Sequence, residues 1–487
     1  MSLLKWQTGK VHVKMSALGS KVNKNAFNEI QFIKPMLCNR LLLVILQVFF
    51  NHLIPDHQSD GFQSPYKLII PSNSTLLDTI VDFTLGGFAR WDGQYFLHIS
   101  TLGYTHENCL AFFPAYPLLL RFTSVFISFF SYHTLTYWNA TLLSSIIINI
   151  LCFVIGAQFL FLITVKLFGN SNFALRSWKL FCISPATIFF LAPYSESLFS
   201  ALTFGGIYYC IEYKFVTASI FFAASGLTRS NGLINIGFLL YFALQKALRI
   251  KWKSLPTLTA QIVLSVTITV FFPFLCYQYY AFSLFCFHKP HSLPEVIYNY
   301  LTDRNVTVRG ERIPQWCQHS IPFSYSVIQS QYWNVGFLRY FEWKQLPNFL
   351  LAAPILSLVI LYSLLFVKQK LLQFKSRPLT NAQSSSHPIF QRAAAVFAAH
   401  SIFLGCFTFF FAHVQISTRL IGSSCPAVYW MMSWMMNGTK ASKRSVMEQW
   451  DPLRQKDLSF TGKLVRFYCL FYVVVGTGMF VNHLPWT

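Results

Sequence analysis

Long apolar segments recur along this chain, and they limit its fold more than any other feature. A helix of about 20 apolar residues spans the hydrocarbon core of a bilayer. Hydrophobic residues make up 54% of the 487 residues and charged residues only 11%, so several such helices are expected. The sequence therefore predicts an all-α integral membrane protein with about 9–12 membrane segments. The predicted segments are 37–54, 139–166, 173–193, 195–212, 216–228, 233–245, 256–284, 346–367, 392–411, 417–436 and 462–482.

The positive charge of the chain is distributed as in a membrane protein. A net charge of +22 would by itself suit a nucleic-acid-binding protein. The Lys and Arg residues instead concentrate in short loops and at the N-terminus, as in the cytosolic parts of membrane proteins, which argues against a nucleic-acid partner. We predict that residues 1–36 form a basic cytosolic tail before an uncleaved signal anchor. The other predicted cytosolic segments are 166–179, 214, 246–253, 368–377 and 440–454.

This assignment of sides divides a single membrane domain, residues 37–482, into loops. It predicts a first luminal loop at 56–110, a long luminal loop at 285–345 and a cytosolic linker at 368–391. Asn-x-Ser/Thr sequons add modest support for an endoplasmic reticulum (ER) protein. They are predicted to be luminal at Asn73, Asn139 and Asn305, and cytosolic and unused at Asn437.

Two apolar stretches do not fit a simple series of crossings. A crossing at 111–131 would move Lys166 to the wrong side, and Pro114 and Pro117 interrupt the start of this stretch. We favour a segment that enters the bilayer and returns, with a crossing helix as the alternative. The short spans within 216–245 are predicted to form one broken pair.

Asp92 is a lone carboxylate in an aromatic segment between the first two predicted spans. Trp91, Tyr95 and His98 surround it at a spacing that predicts a short amphipathic helix on the bilayer surface. A carboxylate held at the membrane edge beside aromatic rings suits a general base that acts on a lipid-borne substrate. A solvated Asp in an interfacial aromatic belt is the alternative.

A pair of carboxylates directly follows the first predicted span. Asp56, His57 and Asp60 come just after Pro55. The two carboxylates are candidates for orienting an acceptor hydroxyl or for sharing the role of base with Asp92. An ordinary turn at Asp56 is the alternative.

Two arginines interrupt apolar segments at membrane depth. A buried arginine is costly there unless it pairs with a carboxylate, backbone carbonyls or a phosphate. We predict that Arg229 and Arg419 clamp a lipid phosphate. Gly232 and Ser230 would let backbone N–H groups approach the same anion. A structural ion pair between Arg229 and Glu196 is the alternative.

The long luminal loop is rich in aromatic and amide side chains between Arg312 and Phe337. Such a composition suits sugar binding, because rings stack on C–H faces and amides bond hydroxyls. A membrane-lying aromatic loop is the alternative. A disulfide between Cys286 and Cys317 is left open. The other cysteines are predicted to be mostly buried apolar residues, and no metal-binding motif is present.

Several motifs between about residue 50 and residue 430 together resemble the PIG-V family of GPI mannosyltransferases, which are multispanning glycosyltransferases of the GT-C type. The N-terminal extension and the segment 439–461 carry no such resemblance. The motifs are Ile54-Pro55-Asp56-His57 with Asp60, Trp91-Asp92, Gly103-Tyr104, Ala111-Phe112-Phe113-Pro114, Pro193-Tyr194-Ser195-Glu196, Arg229-Ser230-Asn231-Gly232, Tyr332-Trp333-Asn334-Val335-Gly336-Phe337, Lys344-Gln345-Leu346-Pro347-Asn348-Phe349-Leu350-Leu351-Ala352, and His413-Val414-Gln415 with Thr418-Arg419.

The resemblance implies a GT-C helical bundle in the ER membrane with a luminal active site. It implies transfer of mannose from dolichyl phosphate mannose to the GPI-anchor precursor, which adds the second mannose in α-1,6 linkage. An α product from this β-linked donor requires inversion and one base, for which Asp92 is the first candidate, before Asp60 and Asp56. Arg229 and Arg419 would stabilise the leaving phosphate. The residues expected to line the substrates are Trp91, His57, Glu196, Tyr194, Asn231, Trp333 and Gln415.

The expected partners are the two glycolipid substrates and the bilayer, and a small membrane partner subunit is left open. No metal or other cofactor is expected, because a leaving monophosphate needs less charge neutralisation than a nucleotide diphosphate.

Other functions remain as alternatives. They are another dolichyl-phosphate-sugar-dependent GT-C glycosyltransferase, a non-catalytic subunit of a glycosylation complex, and a lipid flippase or transporter, which should usually show internal repeats that we do not find.

Overall fold

The computed structural model describes most of the chain and shows an all-α protein. The described residues are 29–58, 61–69, 75–132, 134–250, 254–287, 293–304, 306–375, 389, 391–436 and 458–486. Within these ranges the β-structure is limited to one isolated antiparallel bridge between His106 and Val308. The predicted fold class is confirmed.

The described helices, in chain order, are α1 (Glu29–Leu53), α2 (Leu76–Leu85), α3 (Asp92–Leu102), α4 (Ala115–Phe130), α5 (Tyr137–Phe168), α6 (Ser171–Cys182), α7 (Glu196–Ile211), α8 (Phe215–Thr228), α9 (Ile236–Ala247), α10 (Leu255–Val266), α11 (Phe272–Phe285), α12 (Glu295–Thr302), α13 (Ser324–Trp333), α14 (Leu346–Lys375), α15 (Ala395–Phe410), α16 (Ser417–Ser424), α17 (Pro426–Met435) and α18 (Phe460–Val481). A π-helical turn, Thr267–Phe271, joins α10 to α11.

Length and composition make the chain a multi-pass membrane protein. Within the described ranges, 5 helical segments are long and apolar enough to cross a bilayer. They coincide largely with α1, α5, α10 with α11, α14 and α18, and each overlaps a predicted span. The shorter helices α4, α8 and α15 are apolar as well. The expected total of about 9–12 membrane segments stays a prediction.

Prolines divide two segments that the sequence predicts as continuous spans. The predicted span 173–193 consists of α6 and the separate 3₁₀ turn Thr187–Phe190, with Pro185 between them. The predicted span 417–436 consists of α16 and α17, with Pro426 at the start of α17. Proline lacks the backbone N–H and disfavours helical geometry in the residue before it, so each helix ends ahead of its proline.

The stretch 111–131 contains one uninterrupted helix, α4, rather than a segment that turns back within itself. Pro114 and Pro117 lie at its N-terminal end, where proline is tolerated, so they mark the helix start and do not break its interior. The predicted broken pair within 216–245 is confirmed, because the 3₁₀ segment Ser230–Asn235 separates α8 from α9.

Several predicted loop boundaries differ from the structure. Helix α1 begins at Glu29, inside the predicted tail, and residues 1–28 lie outside the described ranges. Helix α14 continues to Lys375, inside the predicted linker. The two predicted luminal loops contain α2 and α3, and α12 and α13, respectively. The folding units there are helices of 8–11 residues, which a search for long apolar segments misses.

The side chain of Asn139 does not fit the prediction of a glycosylation site. It is only 2% exposed, and its Nδ2 donates a hydrogen bond of 2.9 Å to Oδ1 of Asp78. This bond uses the amide nitrogen to which a glycan would be attached. The sequons at Asn73, Asn305 and Asn437 lie outside the described residues.

Helix α5 lies at the centre of the packing and brings the site elements together. It contacts α4, α6 and α7, while α3 contacts both α4 and α5, and α16 contacts α7. Asn149 of α5 donates a hydrogen bond of 2.5 Å from Nδ2 to the carbonyl oxygen of Ala192. This bond holds the irregular segment that leads into α7, so the first residue of α7, Glu196, has a defined position beside α16.

Arg40 of α1 is a buried cation held by carbonyl and hydroxyl oxygens. Its Nη2 donates to the carbonyl of Cys182 at 3.2 Å and to Oγ1 of Thr187 at 2.7 Å. Its guanidinium carbon also lies 4.0 Å from the centre of the Phe153 ring. These contacts connect the first span to the end of α6.

We expect Arg40→Leu to lower the free energy of unfolding by about 1–3 kcal/mol, because the buried acceptors lose their donors. The measurement is thermal unfolding of the detergent-solubilised protein. The exposed Arg304 serves as the matched control. Its replacement by Leu should change stability by less than about 0.5 kcal/mol. Equal effects of the two substitutions would contradict the assigned role of Arg40.

Candidate active site

Asp92 begins α3 and points its carboxylate toward Arg419. Trp91, just before it, has a φ of +52°, a left-handed conformation that turns the chain sharply into the helix. The backbone N–H of Asp92 donates to the hydroxyl of Tyr194 at 3.1 Å. Oδ2 of Asp92 lies 2.7 Å from Nη2 of Arg419. Two motifs separated by more than half of the chain therefore meet in one ion pair.

Four charged side chains form a continuous row, which we call the charge row: Asp92, Arg419, Glu196 and Arg229. Arg419 lies between two carboxylates, because its Nη1 is 3.7 Å from Oε1 of Glu196. Arg229 pairs with the same oxygen of Glu196. The side chain of Glu196 is 0% exposed, whereas that of Asp92 is 27% exposed. The two carboxylates and two guanidinium groups of the ionised row have no net charge, as burial requires. Asp92 is the more accessible of the two carboxylates.

The structure brings together Asp92, Arg419, Arg229, Glu196 and Tyr194 of the predicted site. It also shows the ion pair between Arg229 and Glu196 that the sequence analysis left as an alternative. Glu196 occupies the first residue of α7, and an acid is favourable at a helix N-terminus. Phosphate binding by the two arginines stays a prediction.

Asn231 and Gly232 have structural partners in the break between α8 and α9. Nδ2 of Asn231 donates to Oγ of Ser424 at 3.1 Å, which connects this break to the end of α16. The N–H of Gly232 donates to the carbonyl of Arg229 at 2.9 Å, and the expected approach of backbone N–H groups to an anion stays a prediction. A Cβ at Gly232 would lie 2.5 Å from the backbone of Ser225, and glycine is therefore required for this close approach.

Asp56 and His57 lie apart from the charge row. Asp56 pairs with Arg90 at 3.0 Å and is about half exposed, while Nε of Arg90 also donates to the carbonyl of Val481 at 2.8 Å. The backbone N–H of His57 donates to the carbonyl of Asn482 at 2.9 Å. These contacts attach the end of α1 to the end of α18. Asp60 lies outside the described residues.

A group of aromatic rings lies one helical turn from Asp92. Tyr95, one turn along α3, stacks on Phe112 with ring centres 4.5 Å apart. The ring of Trp333 lies 6.0 Å from each of these two rings. We call Tyr95, Phe112 and Trp333 the aromatic wall. Offset and tilted rings at this separation leave surfaces that can contact sugar C–H groups.

His413 lies just before α16, the helix that carries Arg419, and it contacts the aromatic wall. Its Nε2 donates to the carbonyl of Trp333 at 2.5 Å, and its ring stacks on Tyr340 at 4.6 Å. Tyr340 in turn donates to Oε1 of Gln415 at 3.1 Å, so the predicted residues Trp333 and Gln415 belong to one connected group. Burial lowers the pKa of His413, so its ring is neutral near pH 7.

The sequence analysis did not assign roles to His413, Tyr340 or Tyr325. Tyr325 shares a hydrogen bond of 2.8 Å with Ser230, which attaches the long loop to the segment after Arg229. For His413, its position six residues before Arg419, in the same motif as Gln415, was the signal that could have indicated a role in the site. The two tyrosines carry no distinguishing local signal, because the sequence contains 23 tyrosines.

One group of buried side chains has the composition of a metal site. His98, His106 and Cys109 offer ligand atoms within 4.8 Å of one another. His98, however, places Nδ1 2.9 Å from Oγ of Ser64 and Nε2 2.7 Å from Oγ1 of Thr105. Hydroxyl groups thus satisfy both of its nitrogens, and burial lowers the pKa of His106 to about 3. This group fits a neutral hydrogen-bond network that holds α3 against the turn after it.

Comparisons with known proteins match nearly the whole chain. The family model described as "Mannosyltransferase (PIG-V)" matches residues 29–487. The GPI alpha-1,6-mannosyltransferase 2 of Rattus norvegicus is 34% identical, over 92% of this chain and 96% of its own length. The GPI mannosyltransferase 2 of Drosophila melanogaster is 33% identical, over 93% and 99%. That of Schizosaccharomyces pombe is 26% identical, over 96% and 88%.

Proposed function

The chain belongs to the PIG-V family of mannosyltransferases, and on that premise we propose that it transfers mannose from dolichyl phosphate mannose to the GPI-anchor precursor. The reaction would add the second mannose in α-1,6 linkage at the luminal face of the ER membrane. The relatives' names support GPI mannosyl transfer. The observation that carries the mechanism is the ion pair of 2.7 Å between Asp92 and Arg419.

Asp92 acts as the general base in this proposal. Its Oδ2 is held by Arg419, while Oδ1 has no hydrogen-bond partner among the described residues, and the side chain is partly exposed. Oδ1 accepts the proton from the acceptor hydroxyl as the new oxygen–carbon bond forms at C1 of mannose. The bond between C1 and the phosphate oxygen breaks, and its electron pair leaves with dolichyl phosphate. Asp60 and Asp56 remain the rival candidates.

The two arginines of the charge row stabilise the departing phosphate. The phosphodiester of the donor carries one negative charge, and the released dolichyl phosphate carries two. The proton gained by Asp92 offsets this increase, so the total charge of row and substrates is unchanged by the transfer. Guanidinium groups fixed before the reaction stabilise such developing charge without reorganisation. Arg229 and Arg419 are held in place by Glu196.

The surroundings of the site support glycolipid substrates and a luminal location. Phe337, Phe341, Trp343 and Phe411 are exposed near the site-facing ends of α14 and α15, as in the aromatic belts of membrane interfaces. The headgroups of the glycolipid substrates would enter the site at the depth of this aromatic belt. Cys286 and Cys317 form a disulfide in the long loop, which supports an oxidising compartment on this side.

The proposal includes no metal or other cofactor, because the arginines supply the charge that the leaving phosphate requires. Transfer should therefore persist in the presence of a chelator such as EDTA. The proposal also leaves room for a small membrane partner subunit, which purification of the tagged chain in mild detergent would recover.

Complementation is the direct test of the proposed function. The wild-type chain, expressed in cells that lack GPI mannosyltransferase 2, should restore GPI-anchored proteins at the cell surface. Microsomes from these cells should transfer radiolabelled mannose from dolichyl phosphate mannose, and an α-1,6-specific mannosidase should release it. Expression in the ER without rescue and without transfer would reject the assignment. Transfer to N-glycan precursors instead would indicate a different GT-C activity.

A further inference from the structure

Glu107 is a buried carboxylate outside the charge row. It is only 2% exposed, and it lies in the 3₁₀ segment Glu107–Ala111 that follows α3. Its Oε2 accepts a hydrogen bond of 3.3 Å from Nε1 of Trp316. Its Oε1 accepts a hydrogen bond from the hydroxyl of Tyr332. Each carboxylate oxygen therefore has a neutral donor, the kind of environment that an isolated buried acid requires.

These bonds connect the two predicted luminal loops. The backbone around Glu107 supports the same connection, because its N–H donates to the carbonyl of Thr307 at 3.0 Å and the N–H of Arg309 donates to the carbonyl of Thr105 at 2.9 Å. Trp316 lies next to Cys317, whose disulfide to Cys286 attaches this part of the long loop to the end of α11. Glu107 is thus the side chain through which the first loop orients the long loop.

The end of α13 carries this connection to the site. Tyr332 bonds to Glu107, and the next residue, Trp333, forms part of the aromatic wall. The carbonyl of Trp333 also accepts the hydrogen bond from His413, and His413 interacts electrostatically with Asp92. A shift of Tyr332 would therefore move both the Trp333 ring and the carbonyl that holds His413.

We propose that Glu107 is a positioning residue that holds Trp333 where it contacts the sugar of the glycolipid acceptor. This inference rests on the proposed function, in which Asp92 faces the acceptor hydroxyl and the arginines face the donor phosphate. Arg229 and Arg419 lie over the rings of Phe199, Phe189 and Tyr194 and not over the aromatic wall, so the wall is free to contact the acceptor. Loss of the Glu107 bonds therefore weakens acceptor binding and leaves donor binding unchanged.

The substitutions that test this role separate geometry from charge. A glutamine at position 107 can accept from Trp316 with its oxygen and donate to the Tyr332 hydroxyl with its nitrogen, so it preserves both connections. Alanine at position 107 removes both connections, and Tyr332→Phe removes one. Glu311, an exposed acid on the same long loop, supplies the matched control, Glu311→Gln.

Steady-state transfer in microsomes is measured with donor and acceptor varied separately. Glu107→Ala should raise the KM for the acceptor about five- to tenfold, the effect of losing about one good hydrogen bond, with the donor KM unchanged. Tyr332→Phe should raise the acceptor KM in the same direction. Adding it to Glu107→Ala should cause little further change, because both act on one connection. Glu107→Gln and Glu311→Gln should remain near wild type.

Loss of folded protein lowers the maximal rate but does not change KM, so a purely structural role is distinguishable. An acceptor KM within twofold of wild type in Glu107→Ala, measured by the same assay, would overturn the proposal. Loss of transfer in Glu107→Gln with normal protein levels would overturn it too, since Glu107 would then act through its charge. Failure of the wild-type chain to transfer mannose would instead reject the proposed function itself.

Discussion

Asp92→Asn is expected to lower mannose transfer by about 10²–10⁴-fold, the contribution of a well-placed general base. Asparagine has nearly the shape of aspartate, and its side-chain oxygen can still accept the hydrogen bond that Nη2 of Arg419 makes to Asp92 at 2.7 Å. The substitution removes the group that takes the proton and leaves the contacts of α3 in place. The measurement is transfer of radiolabelled mannose in microsomes, with surface GPI-anchored protein in complemented cells as the second readout.

Asp56→Asn tests the rival assignment of the base to Asp56. Asp56 is also a carboxylate paired with an arginine, Arg90, at 3.0 Å, but its side chain is 49% exposed and lies outside the charge row. Because an exposed ion pair contributes little, this variant should transfer mannose at nearly the wild-type rate. Full rescue by Asp92→Asn would refute the assignment of the base and direct attention to Asp60 and Asp56.

Removing Glu196 is expected to cause the largest loss of stability. Its side chain is fully buried between Arg229 and Arg419. Glu196→Leu would leave two guanidinium groups near each other with only Asp92 to compensate them. Breaking a buried pair in this way costs about 3–5 kcal/mol. The measurement is the thermal unfolding midpoint of the detergent-solubilised protein, followed by its half-life at a fixed temperature.

The pair formed by Glu212 and Lys166 provides the control, since its atoms are 2.5 Å apart but both side chains are partly exposed. Glu212→Leu should cost at most about 1 kcal/mol, because solvent screens this pair. Glu196→Gln should fall between the two, since it keeps the shape and one acceptor oxygen. Equal losses for Glu196→Leu and Glu212→Leu would show that the charge row is not an electrostatic unit.

The long apolar helices were predictable because their signal is local. Segments such as 139–166 and 462–482 are apolar over the length of a span, and the structure has α5 and α18 there. Predictions failed where one residue redirects the backbone. Pro185 and Pro426 end helices inside predicted spans, whereas Pro114 starts a helix that the sequence analysis expected to turn back.

The candidate site was predictable residue by residue but not as an arrangement. Asp92, Arg229 and Arg419 stand out because charges are rare in apolar segments. The sequence did not predict the partner of each charge, and for Arg229 it left two alternatives, a lipid phosphate and Glu196. The structure pairs Arg229 with Glu196 and Arg419 with Asp92. Glu107 drew no assignment, because its partners Trp316 and Tyr332 are distant in sequence and carry no charge.

The sequence alone determined the all-α membrane class, the long spans and the resemblance to one enzyme family, because each depends on consecutive residues or on motifs that keep their order. Only the tertiary structure decided that Asp92, Glu196, Arg229 and Arg419 form one neutral row with a single accessible carboxylate. Buried charges are stable only when opposite charges meet them. Those four charges come from the ends of separate helices, and the packing of α8 and α16 on α7, and of α3 and α7 on α5, sets which of them meet.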